Sequence, residues 1–398
     1  MKWIIFGLTI AFLVFLEYAF HSSLHHVGSN KLSINSFAYS SSFLTLIVFL
    51  LFIIGFRKQN NANYKFPFRM MGLLITLLVP KLYTALFLAL FFGLNWFNIT
   101  LNALIVIGLT LAFLQFTAIL YGIFVGKYKY QIRKIQLQFP HLPADLDQLK
   151  LVQISDLHLG SFFNRYHKLE KAINKINSIN ADYVLFTGDL VNNFAQEVKG
   201  WENTLKKIKS KKGVYSILGN HDYGDYVNWK EKIKYDQNIA ELVEYHTQIG
   251  FKLLRNSSIA LSNEENKAFL IGVENWGAPP FKQYGDLKQA TENIPTDSFK
   301  ILLSHDPSHF DYEVTKQTNI DLTLSGHTHG MQFGFERWGL KISPVQLKYP
   351  KWAGLYRVKN QFLYVNRGLG YIGFPGRVGI YPEITEITLT KDKTEVQS

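Results

Sequence analysis

The sequence contains no cysteine. Disulfides, thiolate nucleophiles and cysteine-ligated zinc are therefore excluded. A chain without disulfides is compatible with either side of a membrane, so this absence does not fix a compartment. Acidic residues are also scarce: 30 Asp and Glu stand against 42 Lys and Arg, for a formal net charge of +12. That balance favours anionic partners, whether phosphorylated substrates, nucleic acid or anionic lipid, and does not choose among them. There is no internal repeat and no low-complexity tract. The 398 residues suffice for two or three units of ordinary domain size.

Polarity is split along the chain. Up to about Val125 the residues are mostly Leu, Ile, Phe and small side chains, whereas beyond it charges, Asn and Tyr appear as in a soluble protein. Four apolar runs, near residues 3–20, 37–56, 70–94 and 99–125, match the length of about 20 residues that a membrane-crossing helix needs. The first follows Lys2 as a signal peptide would. However, Glu17 interrupts its end, no small-x-small cleavage pattern follows, and three more runs come after it, so it reads as a span.

Basic residues set the expected orientation. Arg57, Lys58, Lys65 and Arg69 lie between the second and third runs, and Lys127, Lys129, Arg133 and Lys134 follow the fourth. The first loop has only Lys31, and the turn at 95–98 has no charge. The expectation is a multi-pass protein of the cell inner membrane with both termini and the globular part in the cytoplasm. Lys81 follows Pro80 inside the third run, where a lysine costs about 2.5–3.5 kcal/mol on insertion scales. A contact to a lipid phosphate is one reading. A snorkelling ammonium, or a span made of two half-helices, is the favoured one. His21, His25 and His26 cluster in the first external loop; an exposed, unliganded loop is favoured over a metal site.

The chain divides into residues 1–126, the membrane region; 127–148, a basic connector with an entry strand over 132–139; 149–390, a globular domain; and 391–398, a polar tail. Runs at 151–155, 183–187, 214–218, 268–273, 301–304, 322–325 and 362–366 are apolar or β-branched and end in Gly, Asp, Asn or His, the mark of buried strands. Residues 166–179 and 201–209 carry apolar positions at helical spacing. Together they predict an α/β sandwich.

Polar residues follow the C-terminal ends of these strands, where open α/β folds place ligands. They are Asp156-Leu157-His158, Gly188-Asp189, Gly219-Asn220-His221-Asp222, His305 and Gly326-His327-Thr328-His329. Each alone is explained by a turn or a buried imidazole. Five strand ends in succession delivering oxygen or imidazole ligands are not.

In this order the motifs D-x-H, G-D, G-N-H-D, H and G-H-x-H resemble the calcineurin-like metallophosphoesterase superfamily, over roughly residues 149–390. The flanks, from Ile154 to Gly160, Leu218 to Tyr223, Leu324 to Gly330, Arg367 to Gly370 and Pro382 to Ile384, look like its bacterial membrane-associated branch, which includes members that cleave UDP-2,3-diacylglucosamine. One departure is Gly330-Met331-Gln332, where the branch usually has Gly-Gly-Gln; it leaves metal binding intact and bears on substrate shape.

The resemblance implies a four-layer α/β/β/α sandwich preceded by an all-α region of about four transmembrane helices. It implies two divalent metal ions, manganese first, with iron, zinc or cobalt as alternatives. Asp156, His158 and His329 would hold one ion, Asn220, His305 and His327 the other, and Asp189 would bridge them. A bridging hydroxide would attack phosphorus. His221 would contact a phosphoryl oxygen or protonate the leaving group, and Asp222 would orient that imidazole. Arg367 and Arg377 are candidates for substrate phosphates, while surface salt bridges explain them equally well. The aromatic stretch 223–250 is either a lid or membrane contact, or a plain surface helix.

The leading expectation is a metal-dependent hydrolase of a membrane-resident phosphodiester, phosphomonoester or pyrophosphate, such as UDP-2,3-diacylglucosamine. The alternatives are an anchored phosphatase or phosphodiesterase for soluble substrates and, with every ligand present, less readily a non-catalytic sensor. Nucleic acid is not an expected partner, because positive-inside bias already explains many basic residues. Nothing in the sequence indicates the oligomeric state.

Overall fold

A computed structural model describes residues 2–28, 30–57, 63–97, 99–262, 267–279 and 282–391. Lys58, Asn98 and residues 392–398 of the polar tail lie outside the described residues. The chain forms two compact units, one of residues 1–59, 64–125 and 373–378, the other of 60–63, 126–372 and 379–398.

The first unit is built from α1 (Lys2–Val27), α2 (Lys31–Arg57), α3 (Lys65–Trp96) and α4 (Ala103–Phe124). Among the described residues these four helices are long and apolar enough to cross a membrane. Large apolar side chains such as Phe12, Phe43, Leu86 and Phe113 point outward, as lipid-facing residues do. Gly72 and Gly122 lack side chains where Pro375 and the Arg377–Val378 backbone approach, and the Arg377 N–H donates to the Gly122 carbonyl at 3.1 Å.

Lys81 corrects the expectation for the third span. α3 runs through Pro80 without a break, so it is not two half-helices. The ammonium is only 4% exposed. Its Nζ lies 2.6 Å from Glu17 Oε1 on α1 and 3.2 Å from Thr45 Oγ1 on α2. Ser42 donates to the other Glu17 oxygen at 2.7 Å. The lysine therefore neither snorkels nor reaches for lipid; it closes an ion pair that joins three helices.

In the second unit the strands are β1 (Gln131–Gln138), β2 (Lys150–Ile154), β3 (Tyr183–Phe186), β4 (Gly213–Ser216), β5 (Phe251–Leu253), β6 (Ser257–Ala260) and β7 (Ala268–Gly272). They continue with β8 (Phe299–Leu303), β9 (Leu322–Ser325), β10 (Phe335–Arg337), β11 (Leu340–Ile342), β12 (Gly354–Val358), β13 (Gln361–Val365) and β14 (Glu383–Thr390). Among the described residues they make two six-stranded sheets, ordered β1-β14-β2-β3-β4-β5 and β12-β13-β9-β8-β7-β6, with β10 and β11 as a separate ribbon. The basic connector thus supplies β1, which lies parallel to β14.

Strand alternation assigns the layers. Leu151, Leu185 and Ile217 meet Leu270, Ile301 and Leu324 between the sheets. Val152, Ile154, Val184 and Phe186 turn the other way, onto α5 (Tyr166–Ser178), α6 (Glu202–Leu205) and α7 (Lys232–Gln248). Ile271, Leu302 and Leu363 back the second sheet against α8 (Leu287–Thr291) and the turn at 310–314. The result is the α/β/β/α order. The helix expected over 201–209 shrinks to the single turn of α6. α7 buries Leu242 and Tyr245 in the core, so that part of the aromatic stretch is a packing helix. β2, β3 and β4 are mutually parallel, as are β7, β8 and β9, so each set ends on one edge.

Two outcomes follow. Replacing Glu17 by Leu or Lys81 by Met alone strands a buried charge and destabilises the protein by about 3–5 kcal/mol; the double replacement destabilises it less, as thermal unfolding in detergent will show. His246, on α7, is fully buried, with Nδ1 2.9 Å from Ser216 Oγ. Burial pushes its imidazole down to about 3, from an ordinary value near 6.5. It is neutral when folded and takes a proton only on unfolding, so its stabilisation is complete above that ordinary value and is lost as pH falls below it. The loss is about 1.4 kcal/mol per pH unit. His246→Leu removes this slope from the difference between acid and neutral melts.

Candidate metal centre

β2 leads into Asp156 and His158, β3 into Asp189, β4 into Asn220 and His221, β8 into His305, and β9 into His327 and His329. The chain leaves these strands through left-handed backbone at Asp156 (φ 52°), His158 (47°), Asp189 (59°), His327 (71°) and His329 (50°). Each such residue costs roughly 1–2 kcal/mol, and strain of this kind gathers at functional sites. Backbone bonds hold the turns: Asp156 N–H to the Gly188 carbonyl at 2.9 Å and His158 N–H to that of Asp189 at 3.1 Å. A Cβ on Gly219 would collide with the Asp189 carboxylate, and one on Gly326 with Ser155 and Asp156.

Two groups of ligand atoms result, Asp156, His158 and His329 in one and Asp189, His305 and His327 in the other, each with its atoms within 4.8 Å of one another. His158 donates Nδ1–H to the Val191 carbonyl (3.1 Å), and His305 donates its own to Thr187 (2.7 Å). Both rings therefore turn Nε2 toward the cluster, the orientation that outer-shell partners give metal-binding imidazoles. Asp189 Oδ2 lies between the groups, 3.6 Å from His158 Nε2 and 3.2 Å from His305 Nε2. His329 Nε2 is 3.2 Å from Asp156 Oδ1 and 3.1 Å from His158 Nε2. Asn220 Oδ1 joins the second group, 2.8 Å from His327 Nδ1. The seven positions expected to bind metal thus converge, and their donor set of carboxylate, imidazole and one amide oxygen fits two divalent transition ions.

The electrostatics agree. Burial alone would raise Asp156 and Asp189, yet the imidazoles of His329 and His305 hold both carboxyls below the usual range. Burial opposes a charge on His305, but Asp189 and Asp156 raise it to about 10. Burial lowers His158 well below its ordinary value. The cluster demands positive charge, which protons or metal ions can each supply.

The remaining expected residues are placed differently. His221 donates Nδ1–H to the Asn192 carbonyl at 2.7 Å and stacks on Tyr226, ring centres 4.5 Å apart. Asn192, not Asp222, orients it. Asp222 is fully buried and accepts four backbone N–H groups, from Asp189 and Gly219 on Oδ2 and from Leu190 and Val191 on Oδ1, at 2.8–3.2 Å. It shapes the turn that carries Asp189. The Arg367 guanidinium is buried and paired with Glu336 and Glu383, the salt-bridge reading in buried form. Arg377 is fully buried and belongs to the helical unit. Met331 is 56% exposed and keeps the left-handed φ (51°) that a glycine adopts freely.

Two neighbours, Tyr349 and Asp306, escaped sequence reasoning, and a third, Tyr226, comes from the aromatic stretch 223–250. Tyr349 places its hydroxyl 2.8 Å from His327 Nε2, with no motif to mark it. Asp306, directly after His305, has Oδ2 3.8 Å from the same nitrogen. The Tyr226 hydroxyl accepts from Asn220 Nδ2 at 2.7 Å, which turns the amide oxygen toward His327. Asp222→Ala should leave four buried N–H groups unmet and lower stability by about 2–4 kcal/mol, read from thermal melts. An unchanged melt would remove Asp222 from this role.

The family model for calcineurin-like phosphoesterases matches residues 149–331. The uncharacterized metallophosphoesterase YkuE of Bacillus subtilis is 32% identical over 255 residues, covering 62% of this chain and 81% of that protein. The transmembrane protein with metallophosphoesterase domain of Danio rerio is 30% identical over 289 residues, covering 70% of this chain and 62% of the relative. UDP-2,3-diacylglucosamine pyrophosphatase LpxG of Chlamydia muridarum is 27% identical over 285 residues, covering 60% and 83%. The match to the Bos taurus relative covers 56% of its length, so the chain spans under two thirds of these vertebrate proteins. Four membrane-capable helices, a strand-end cluster of imidazoles and carboxylates, and relatives named for a metallophosphoesterase domain lead to one assignment: the chain is a membrane protein of the calcineurin-like metallophosphoesterase family.

Proposed function

We propose that the protein hydrolyses a phosphoester or pyrophosphate bond in a lipid-linked substrate of the UDP-2,3-diacylglucosamine type. The observation that carries this reading is the pair of facing ligand groups with the Asp189 carboxylate between them. Asp156, His158 and His329 would hold one divalent ion and Asn220, His305 and His327 the other, with Asp189 shared. Manganese is the first choice for this mixture of imidazole and carboxylate. Bound ions would supply the charge that acidifies a water and neutralises phosphoryl oxygens.

The chain's own residues supply the rest. Asn220 contributes a neutral oxygen, which adds no repulsion toward an anionic phosphate. His221 has Nδ1–H committed to Asn192, so Nε2 is the atom left to face a substrate. Burial lowers its imidazole below the ordinary value, so Nε2 would take up a proton beside a bound anionic phosphate before passing it to a leaving oxygen. The four spans support a membrane-resident substrate, and the activity for which the Chlamydia relative is named supports the nucleotide-linked lipid. The basic sequence segments 57–69 and 127–134 support an inner-membrane protein with its catalytic unit in the cytoplasm.

The test is release of UMP from UDP-2,3-diacylglucosamine by full-length protein in detergent with manganese. Wild type should release it, and a chelator should abolish release. Asp189→Asn should lower the rate by at least about a thousandfold, and His221→Ala by about 10²–10⁴-fold. Hydrolysis of an aryl phosphodiester without UMP release would replace the lipid-linked reading with that of an anchored enzyme for soluble substrates. Hydrolysis of neither would overturn the enzymatic reading.

A further inference from the structure

The helical unit holds a second convergence of ligand atoms. α1 extends to Val27, so His21 and His25 are not in a loop as expected; they stand one turn apart on a helix face, the i, i+4 spacing that lets two imidazoles meet. Asn35, in the first turns of α2, completes the group. His21 Nε2 and His25 Nε2 are 3.0 Å apart. Asn35 Oδ1 is 3.0 Å from the first and 2.5 Å from the second. All three side chains are partly buried at the junction of α1 and α2.

Hydrogen bonding cannot satisfy this triangle. An imidazole nitrogen is either a donor or an acceptor, and so is each terminal atom of an amide. Three contacts around a ring of three such atoms would require donor and acceptor to alternate around an odd cycle, which is impossible. If both rings donate to Oδ1, the two nitrogens oppose N–H to N–H at 3.0 Å. Exchanging the amide oxygen and nitrogen leaves one contact mismatched in the same way. A cation accepting a lone pair from each atom satisfies all three at once. The same short approach of two imidazole nitrogens, 3.1 Å, occurs between His158 and His329 in the candidate metal centre.

We propose that His21, His25 and Asn35 bind a divalent transition ion of the zinc class. Two imidazoles and one neutral oxygen, without thiolate or carboxylate, match zinc, copper, nickel or cobalt and are poor ligands for calcium or magnesium. The ion ties α1 to α2 where the chain passes between them. On the next residue, His26 Nε2 meets Asn102 Oδ1 at 3.2 Å, beside the first turn of α4. The site lies wholly within the helical unit, whereas the phosphoesterase ligands all belong to the other.

The test uses full-length protein in detergent carrying Asp156→Asn and His305→Ala, which disable both ligand groups of the second unit. It is stripped with chelator, loaded with zinc, desalted and analysed for zinc per chain. One equivalent should remain, and adding His21→Ala with His25→Ala should remove it. Asn35→Leu and His25→Gln, read in the same assay on protein with an unchanged elution volume, guard against misfolding; each should weaken zinc retention at least about tenfold. The absence of zinc from the starting background, or its retention after the double histidine replacement, overturns the proposal.

Discussion

Asp156 and Asp189 place two carboxylates out of contact with water, and a buried negative charge persists only beside positive charge or hydrogen-bond donors. Much of the second unit answers that demand. Imidazoles from three strand ends face the carboxylates. Backbone carbonyls of Val191 and Thr187 fix two of those rings by their far nitrogens. The chain tolerates left-handed backbone at five of the candidate ligand residues. Asp222 braces the turn carrying Asp189 through four backbone N–H groups. Parallel strands on two stacked sheets make this possible, because they bring every contributing end to one edge.

The α/β class and the residues that gather at the candidate site were legible because both follow short-range rules. Val152 and Ile154, or the run Ile301-Leu302-Leu303, announce buried strands by composition, and Asp or His directly after such a run stands at a strand end wherever the sheet closes. Partners supplied from far along the chain were not legible. Nothing near Tyr349 marks its hydroxyl as a neighbour of His327, 22 residues away. The role of Asp222 was misjudged for a related reason: its sequence neighbour His221 suggested a side-chain pair, whereas the carboxylate turns inward to four backbone donors, three of them 31–33 residues distant. For Arg367 a phosphate fork and a salt bridge were equally open, because its carboxylate partners Glu336 and Glu383 lie 31 and 16 residues off.

The membrane part shows the same division. Length and apolarity are properties of a run, so the four spans were visible. Glu17 appeared only as an interruption and Lys81 only as a cost, because their attraction depends on α1 and α3 packing side by side, 64 residues apart in sequence. Neither charge is tolerable alone in an apolar unit, and each explains the other. His21 and His25 were assigned to a loop since the end of a helix is the least legible part of it; about two more turns of α1 make loop histidines an aligned pair.

On the proposed function, catalysis would depend on Asp189 being shared between two ions. Electron paramagnetic resonance of the manganese-loaded protein reads that sharing directly, since a carboxylate bridging two manganese ions couples their spins. The predicted result is the spectrum of an exchange-coupled pair that collapses to isolated-ion signals in Asp189→Asn. Isolated-ion signals alone in the wild type, unaltered by that replacement, would contradict a shared carboxylate.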